Sequence, residues 1–198
     1  MKQQYQLTEW DQLWHIQLDN EPIVTKTGNI LALANEKLLE RLLLESDVLD
    51  SYCFTILSKI VDQEFIVFTK LWSIQNYRSI CKVPNDQYSL NMPSLADYLH
   101  RKNLVFAESQ EVSDRFMFAL SLVYNKLDIE RKVILTELVE LGFDACISLA
   151  FIDGKATLSE LLENQAYLNF LRFEQSEQYF LDHLDTRFKS IIEMLALL

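Results

Sequence analysis

Two hydrophobic periods divide this chain. In residues 12–18, QLWHIQL, Trp14, Ile16 and Leu18 alternate with His15 and Gln17, which is the period-two pattern of a half-buried strand. Asp19-Asn20 follows as a turn, and residues 22–25, PIVT, are rich in β-branched side chains that suit a second strand. Lys26-Thr27-Gly28-Asn29 makes another turn, and residues 30–33 form a third short strand. The pattern predicts a β-meander.

The period then lengthens to that of helices. Asn35 is placed to cap a helix with Glu36 in its first turn, where a carboxylate suits the helix dipole. Leu38, Leu39, Leu42 and Leu43 form its apolar stripe, which ends near Ser46. Further helices are predicted over residues 52–61 and 63–73, and a short strand over 78–83. Pro84-Asn85-Asp86 opens a polar stretch to residue 91 that reads as a linker. Beyond it Leu95, Tyr98 and Leu99 share a face, and residues 112–124 form another helical segment. Residues 129–151 read as one long helix, with Ile134, Leu138, Leu141, Ala145 and Leu149 at 3.6-residue spacing. Gly142 lies inside it at a cost of about 1 kcal/mol relative to Ala. Gly142, Cys146 and Ala150 fall four apart, so close approach of another helix would offset that cost. Gly154 ends the run, and residues 157–173 and 176–198 complete the helices. The expected fold is α+β: a small N-terminal α/β domain with a β-meander, residues 1–88, followed by a larger all-helical domain, residues 89–198.

Composition narrows the function classes. Hydrophobic residues make up 49% of the 198, so the chain can bury a core. Gly28, Gly142 and Gly154 are the only glycines and lie too far apart for a G-x-G-x-x-G or a G-x-x-x-x-G-K phosphate cradle, so no nucleotide is expected. The net charge of −11 repels nucleic acid and anionic membrane surfaces, and it favours a basic or amphipathic partner. Cys53, Cys81 and Cys146 are odd in number, without C-x-x-C spacing, and sit among apolar neighbours, which suggests buried thiols rather than a disulfide framework or a zinc site. The N-terminus carries no apolar or Arg/Ser-rich leader, and the longest apolar run, ACISLAFI, is far short of a bilayer span. A soluble cytoplasmic protein without membrane insertion is expected.

Candidate catalytic groups are scattered. His15, His100 and His183 show no metal-ligand spacing. Glu160, Glu163, Asp182, Asp185 and Glu193 fall on amphipathic helices, where a solvated polar face explains them better than paired acid catalysis. No G-x-S-x-G elbow positions a nucleophile. These absences favour a protein-binding role over an enzyme, with no cofactor and no metal. An adaptor or immunity-type binding module is the alternative within that class.

Residue order supplies a sharper reading. LDNEPIVTKTGNILALANEKLLERLLLE, residues 18–45, resembles the opening of the Atp-twelve family, assembly chaperones of the ATP synthase alpha subunit. Leu18, Asp19, Pro22, Thr25, Leu31, Leu33 and Glu45 match the family pattern, while Asn20 replaces its turn glycine. Asn tolerates the left-handed conformation such a turn needs, so the exchange is mild. Phe54-Thr55 and Leu57, Ile80-Cys81, then Pro93, Leu95 and Asp97-Tyr98 continue the resemblance in order. So do residues 103–108, NLVFAE, and the helical run 127–162, with Gly142 at the family's close-packing glycine. The last element departs: counted from Gly154, the family's prominent glutamate falls on Asn169 and its glutamine on Arg172, with only Glu174 and Gln175 retained. The resemblance implies a chaperone that binds the unassembled alpha subunit until the beta subunit replaces it, with no nucleotide or metal. It implies a partner-binding segment at Asn169, Arg172, Glu174 and Gln175, and a compartment that is cytoplasmic in a bacterium or the mitochondrial matrix in a eukaryote.

Overall fold

Two left-handed turns set the sheet. Asp11 and Gln12 adopt φ of 51° and 64°, and Asp19 and Asn20 adopt 52° and 71°. Positive φ at both central residues is the signature of the two-residue hairpin turn whose twist matches that of the flanking strands. In the computed structural model, which describes residues 4–70, 121–163 and 177–198 (177–185 by backbone only), these turns join β1 (Tyr5–Trp10), β2 (Leu13–Leu18) and β3 (Glu21–Pro22). Trp10 pairs with Leu13 across the first turn and Leu18 with Glu21 across the second, both antiparallel. β4 (Ala32–Leu33) returns to the same edge of β2 as β3, pairing Leu33 with Trp14 and Ala32 with His15. The expected meander is present, with its second strand, expected over 22–25, reduced to β3, its third, expected over 30–33, reduced to β4, and a lone bridge between Val24 and Ile30. β1 was not expected from the pattern.

The chain forms two compact units, one of residues 1–65 with 184–198, the other of 66–183. The expected linker near residues 84–91 lies outside the described residues, as does the expected strand at 78–83.

In the first unit α1 (Glu36–Leu43) buries Leu38, Leu39 and Leu42 completely beside Ile16, Leu31 and Leu33 in the core. Full burial of each such leucine contributes about 1.5–3 kcal/mol. Asn35 occupies the cap position, yet its side chain makes no cap hydrogen bond; its amide donates instead to the Leu197 carbonyl at 3.1 Å. α2 (Tyr52–Val61) starts where Ser51 accepts from Phe54 N–H. It ends in a Schellman motif: Glu64 N–H bonds Lys59 C=O, Gln63 N–H bonds Ile60 C=O, and Gln63 takes φ of 55° in the place usually held by glycine. The helix expected over 63–73 therefore begins later. Residues 64–67 are non-helical and a helix resumes at 68, continuing to the edge of the described residues at 70.

In the second unit the long helix expected over 129–151 is two helices, α3 (Ile129–Glu140) and α4 (Ala145–Ile152). Gly142 does not serve helix packing inside a continuous helix. At φ of 96° it is the left-handed residue of a second Schellman motif, in which Phe143 N–H bonds Leu138 C=O and Gly142 N–H bonds Val139 C=O. Phe143 and Leu138, the pair whose contact accompanies this motif, are both buried. Asp144 then restarts the chain by capping α4, its carboxylate accepting from Cys146 N–H at 2.8 Å and Ile147 N–H at 3.3 Å. A third Schellman motif closes α4 at Gly154, with φ of 66°. Residues 121–125 and 158–163 are helical, and α5 (Glu177–Leu195) ends the chain.

Candidate functional site

The partner-binding segment expected from sequence, Asn169, Arg172, Glu174 and Gln175, lies outside the described residues, as do Cys81 and His100. The structure does describe how the end of the following helix is held in the first unit. Arg41 on α1 reaches Glu193 on α5 through Nε at 2.9 Å and Nη2 at 2.5 Å, and Glu45 one turn on through Nη1 at 2.7 Å. Burial works against the Arg41 charge, but the hydrogen bonds it donates to Glu193 and Glu45, with the charges of those carboxylates, outweigh burial and raise its pKa. Arg187 donates to the Tyr52 hydroxyl at 2.8 Å and lies over its ring, 4.7 Å from the centroid. Beneath these contacts Ile191 and Met194 are buried, and Cys53 Sγ meets Met194 Sδ at 3.9 Å. Burial pushes the Cys53 thiol up to about 12, with Arg41 pulling the other way, so it is a packing group and not a nucleophile.

A second polar assembly ties the small hairpin of residues 24–30 to the end of α2. Asp62 Oδ1 accepts from Thr27 Oγ1 at 2.6 Å, Thr25 Oγ1 at 2.8 Å and Asn29 Nδ2 at 2.9 Å. Burial is the largest single influence on the Asp62 pKa and raises it, but the three hydrogen bonds together outweigh burial and hold it below the ordinary carboxylate value. Gly28, with φ of 89°, turns the hairpin so that all three donors converge.

The carboxylates considered for catalysis have local duties. Glu160 accepts from Thr157 N–H at 2.7 Å while Thr157 Oγ1 accepts from Glu160 N–H at 3.2 Å, a reciprocal capping box at the 158–163 helix. Glu163 accepts from Ser159, and Glu193 is the partner of Arg41. The side chains of Asp182, His183 and Asp185 are outside the described residues. His15 is buried in the sheet, where Gln17 Nε2 lies 3.2 Å from its Nε2. In the second unit the Ile66 backbone is clamped on both sides: its N–H donates to Thr136 Oγ1 at 2.9 Å, and the Tyr124 hydroxyl donates to its carbonyl. Burial raises that Tyr124 hydroxyl to about 12, fixing it as a donor. Among the described residues no group of three His, Cys, Asp or Glu is placed to hold a metal ion, and no helix is long and apolar enough to cross a membrane.

Apolar side chains in the open are the remaining feature. Trp10 is 72% exposed at the tip of the first hairpin beside Leu13, and Leu44 is 79% exposed after α1. The sequence reading missed Trp10 and Leu13. The signal was available as an apolar pair bracketing Asp11-Gln12, the spacing of a two-residue hairpin.

An antiparallel meander followed by helices, mixed α+β, is a fold this chain shares with solved structures. Specifically, the chain has the fold of Atp12 from Paracoccus denitrificans, with a TM-score of 0.70 over 98% of this chain and 95% of that one, at 14% identity. The Atu1473 protein of Agrobacterium tumefaciens, a candidate chaperone, matches at a TM-score of 0.72 over 98% of this chain and 82% of that one, also at 14% identity. No protein-family model and no curated protein matches the sequence.

Proposed function

We propose that the protein is an assembly chaperone for the F-type ATP synthase, binding the unassembled alpha subunit of the catalytic head until the beta subunit replaces it. The observation that carries this reading is the likeness to Paracoccus Atp12 across 98% of the chain. A subunit awaiting its ring neighbours exposes a large interface of the size that would otherwise aggregate. An acidic protein with exposed apolar side chains suits reversible cover of such a surface. The protein acts by binding, without catalysis, in the compartment where the catalytic head is assembled, the bacterial cytoplasm for a bacterial chain. Asn169, Arg172, Glu174 and Gln175 form part of the client contact. Asn169 replaces a carboxylate with a neutral group that both donates and accepts, so Glu174 supplies the negative charge there.

Co-expression of the tagged protein with alpha subunit alone tests the reading. A complex that dissolves when beta subunit is added is the expected result. Failure to recover alpha subunit while the protein is folded overturns it. Within the complex, Glu174→Ala weakens capture more than Asn169→Ala; equal capture by both and by wild type removes the assignment to that segment.

A further inference from the structure

The first hairpin ends in an unusual tip. Trp10 and Leu13 face each other directly across the turn, 72% and 41% exposed, although tryptophan is on average among the more buried residues. The turn beneath them is held by Asp11 and Gln12 at positive φ, where glycine would sit without strain. Backbone strain is thus accepted at the point that carries the exposed ring. The charged residues next to Trp10 along the chain, Glu9 and Asp11, are both negative, and residues 3–25 contain no lysine or arginine. An exposed indole face beside carboxylates attracts a guanidinium or ammonium group twice over, through the ring quadrupole and through Coulomb attraction.

We propose that the Trp10–Leu13 hairpin tip is a docking point for an arginine- or lysine-bearing segment of the protein client, the cation stacking on Trp10 in the negative field of the neighbouring Asp11 and Glu9 while an apolar neighbour packs on Leu13. Naming that client as the ATP synthase alpha subunit rests on the reading above; the surface itself does not. A second copy of this chain is a poor occupant, because it would bring two acidic tips together in a protein of net charge −11.

The test uses the full chain and a labelled decapeptide of alternating arginine and leucine, with a glutamate–leucine decapeptide as control, followed by fluorescence anisotropy. The arginine peptide binds wild type, Trp10→Ala weakens it roughly tenfold, Trp10→Phe retains most of the affinity, and added salt weakens binding throughout. Because Trp10 is exposed, the variants keep the wild-type far-UV spectrum and melting midpoint. Absence of peptide binding, equal binding by Trp10→Ala, or equal binding of the glutamate peptide overturns the proposal. So does a wild-type dimer in sedimentation that Trp10→Ala dissociates. Alpha-subunit capture run in parallel separates the two claims. If wild type and Trp10→Ala capture it equally, the docking surface is wrong and the chaperone reading stands. If wild type captures none, the chaperone reading fails and the peptide series alone decides the surface.

Discussion

Asp144 is the residue on which the break between α3 and α4 depends. It is 1% exposed, and its carboxylate closes the first turn of α4 through Cys146 N–H at 2.8 Å and Ile147 N–H at 3.3 Å. Asp144→Ala removes the cap and leaves two N–H groups in a buried turn without it. Loss of an N-cap costs about 1 kcal/mol and at most about 2. A buried donor left unmade costs about 1–3 kcal/mol, and here one of the two bonds is long and therefore weak. Relief of the buried carboxylate's own desolvation offsets part of this. The expected loss is about 2–3 kcal/mol, which for a chain of this size lowers Tm by roughly 5–10 °C. Asp144→Asn keeps an acceptor at the cap and loses the charge's interaction with the helix dipole, which is worth less than about 1 kcal/mol. Urea denaturation of the three proteins gives the free energies, and hydrogen exchange at Cys146 and Ile147 locates the effect. An Asp144→Ala loss under about 0.5 kcal/mol, or an Asp144→Asn loss equal to it, would refute the capping argument.

Three further outcomes follow from the same geometry. Gln63→Gly stabilises the protein by about 0.5–1 kcal/mol in chemical denaturation, because it relieves a left-handed residue at the α2 end without removing either Schellman hydrogen bond; a destabilised variant would contradict this. The folded pKa of Asp62 is depressed, so its stabilisation is present above the ordinary carboxylate range and lost as pH falls through the folded value; the gap in stability between wild type and Asp62→Ala is therefore wide at pH 7 and narrows below about pH 4. Cys53, held near pKa 12 by burial, resists iodoacetamide at pH 8 in the native protein and reacts once denatured, as peptide mapping of that residue reads directly.

Where the pattern was informative, local chemistry and burial pointed the same way. Trp14, Ile16 and Leu18 share one face of β2, with Ile16 fully buried in the core and the other two half-buried, and Asp19-Asn20 turns because both residues tolerate positive φ. β1 escaped because its alternation is spoiled at the end: Glu9 falls in register with Tyr5 and Leu7, and Trp10 with Gln6 and Thr8. That spoiling is the exposed tip itself. The division of α3 from α4 escaped for a different reason. Seven consecutive residues, Val133 to Val139, are buried, Thr136 and Glu137 among them, so the helix is covered on every side there and no single apolar stripe marks its course. Apolar spacing also runs on across the break, and only Gly142-Phe143-Asp144, a left-handed stop followed by a cap, marks it. Asn35 shows a third kind of miss. The cap position was legible, but its hydrogen bond goes to Leu197, a partner 162 residues away that no local pattern reveals.

The chaperone reading is tested most directly by light scattering from isolated ATP synthase alpha subunit at a temperature where it aggregates alone. The account predicts suppression at a near-equimolar ratio of this protein with no ATP present, and release of the alpha subunit when beta subunit is added. Scattering unchanged by a several-fold excess of folded protein, or suppression that strictly requires ATP, would contradict it.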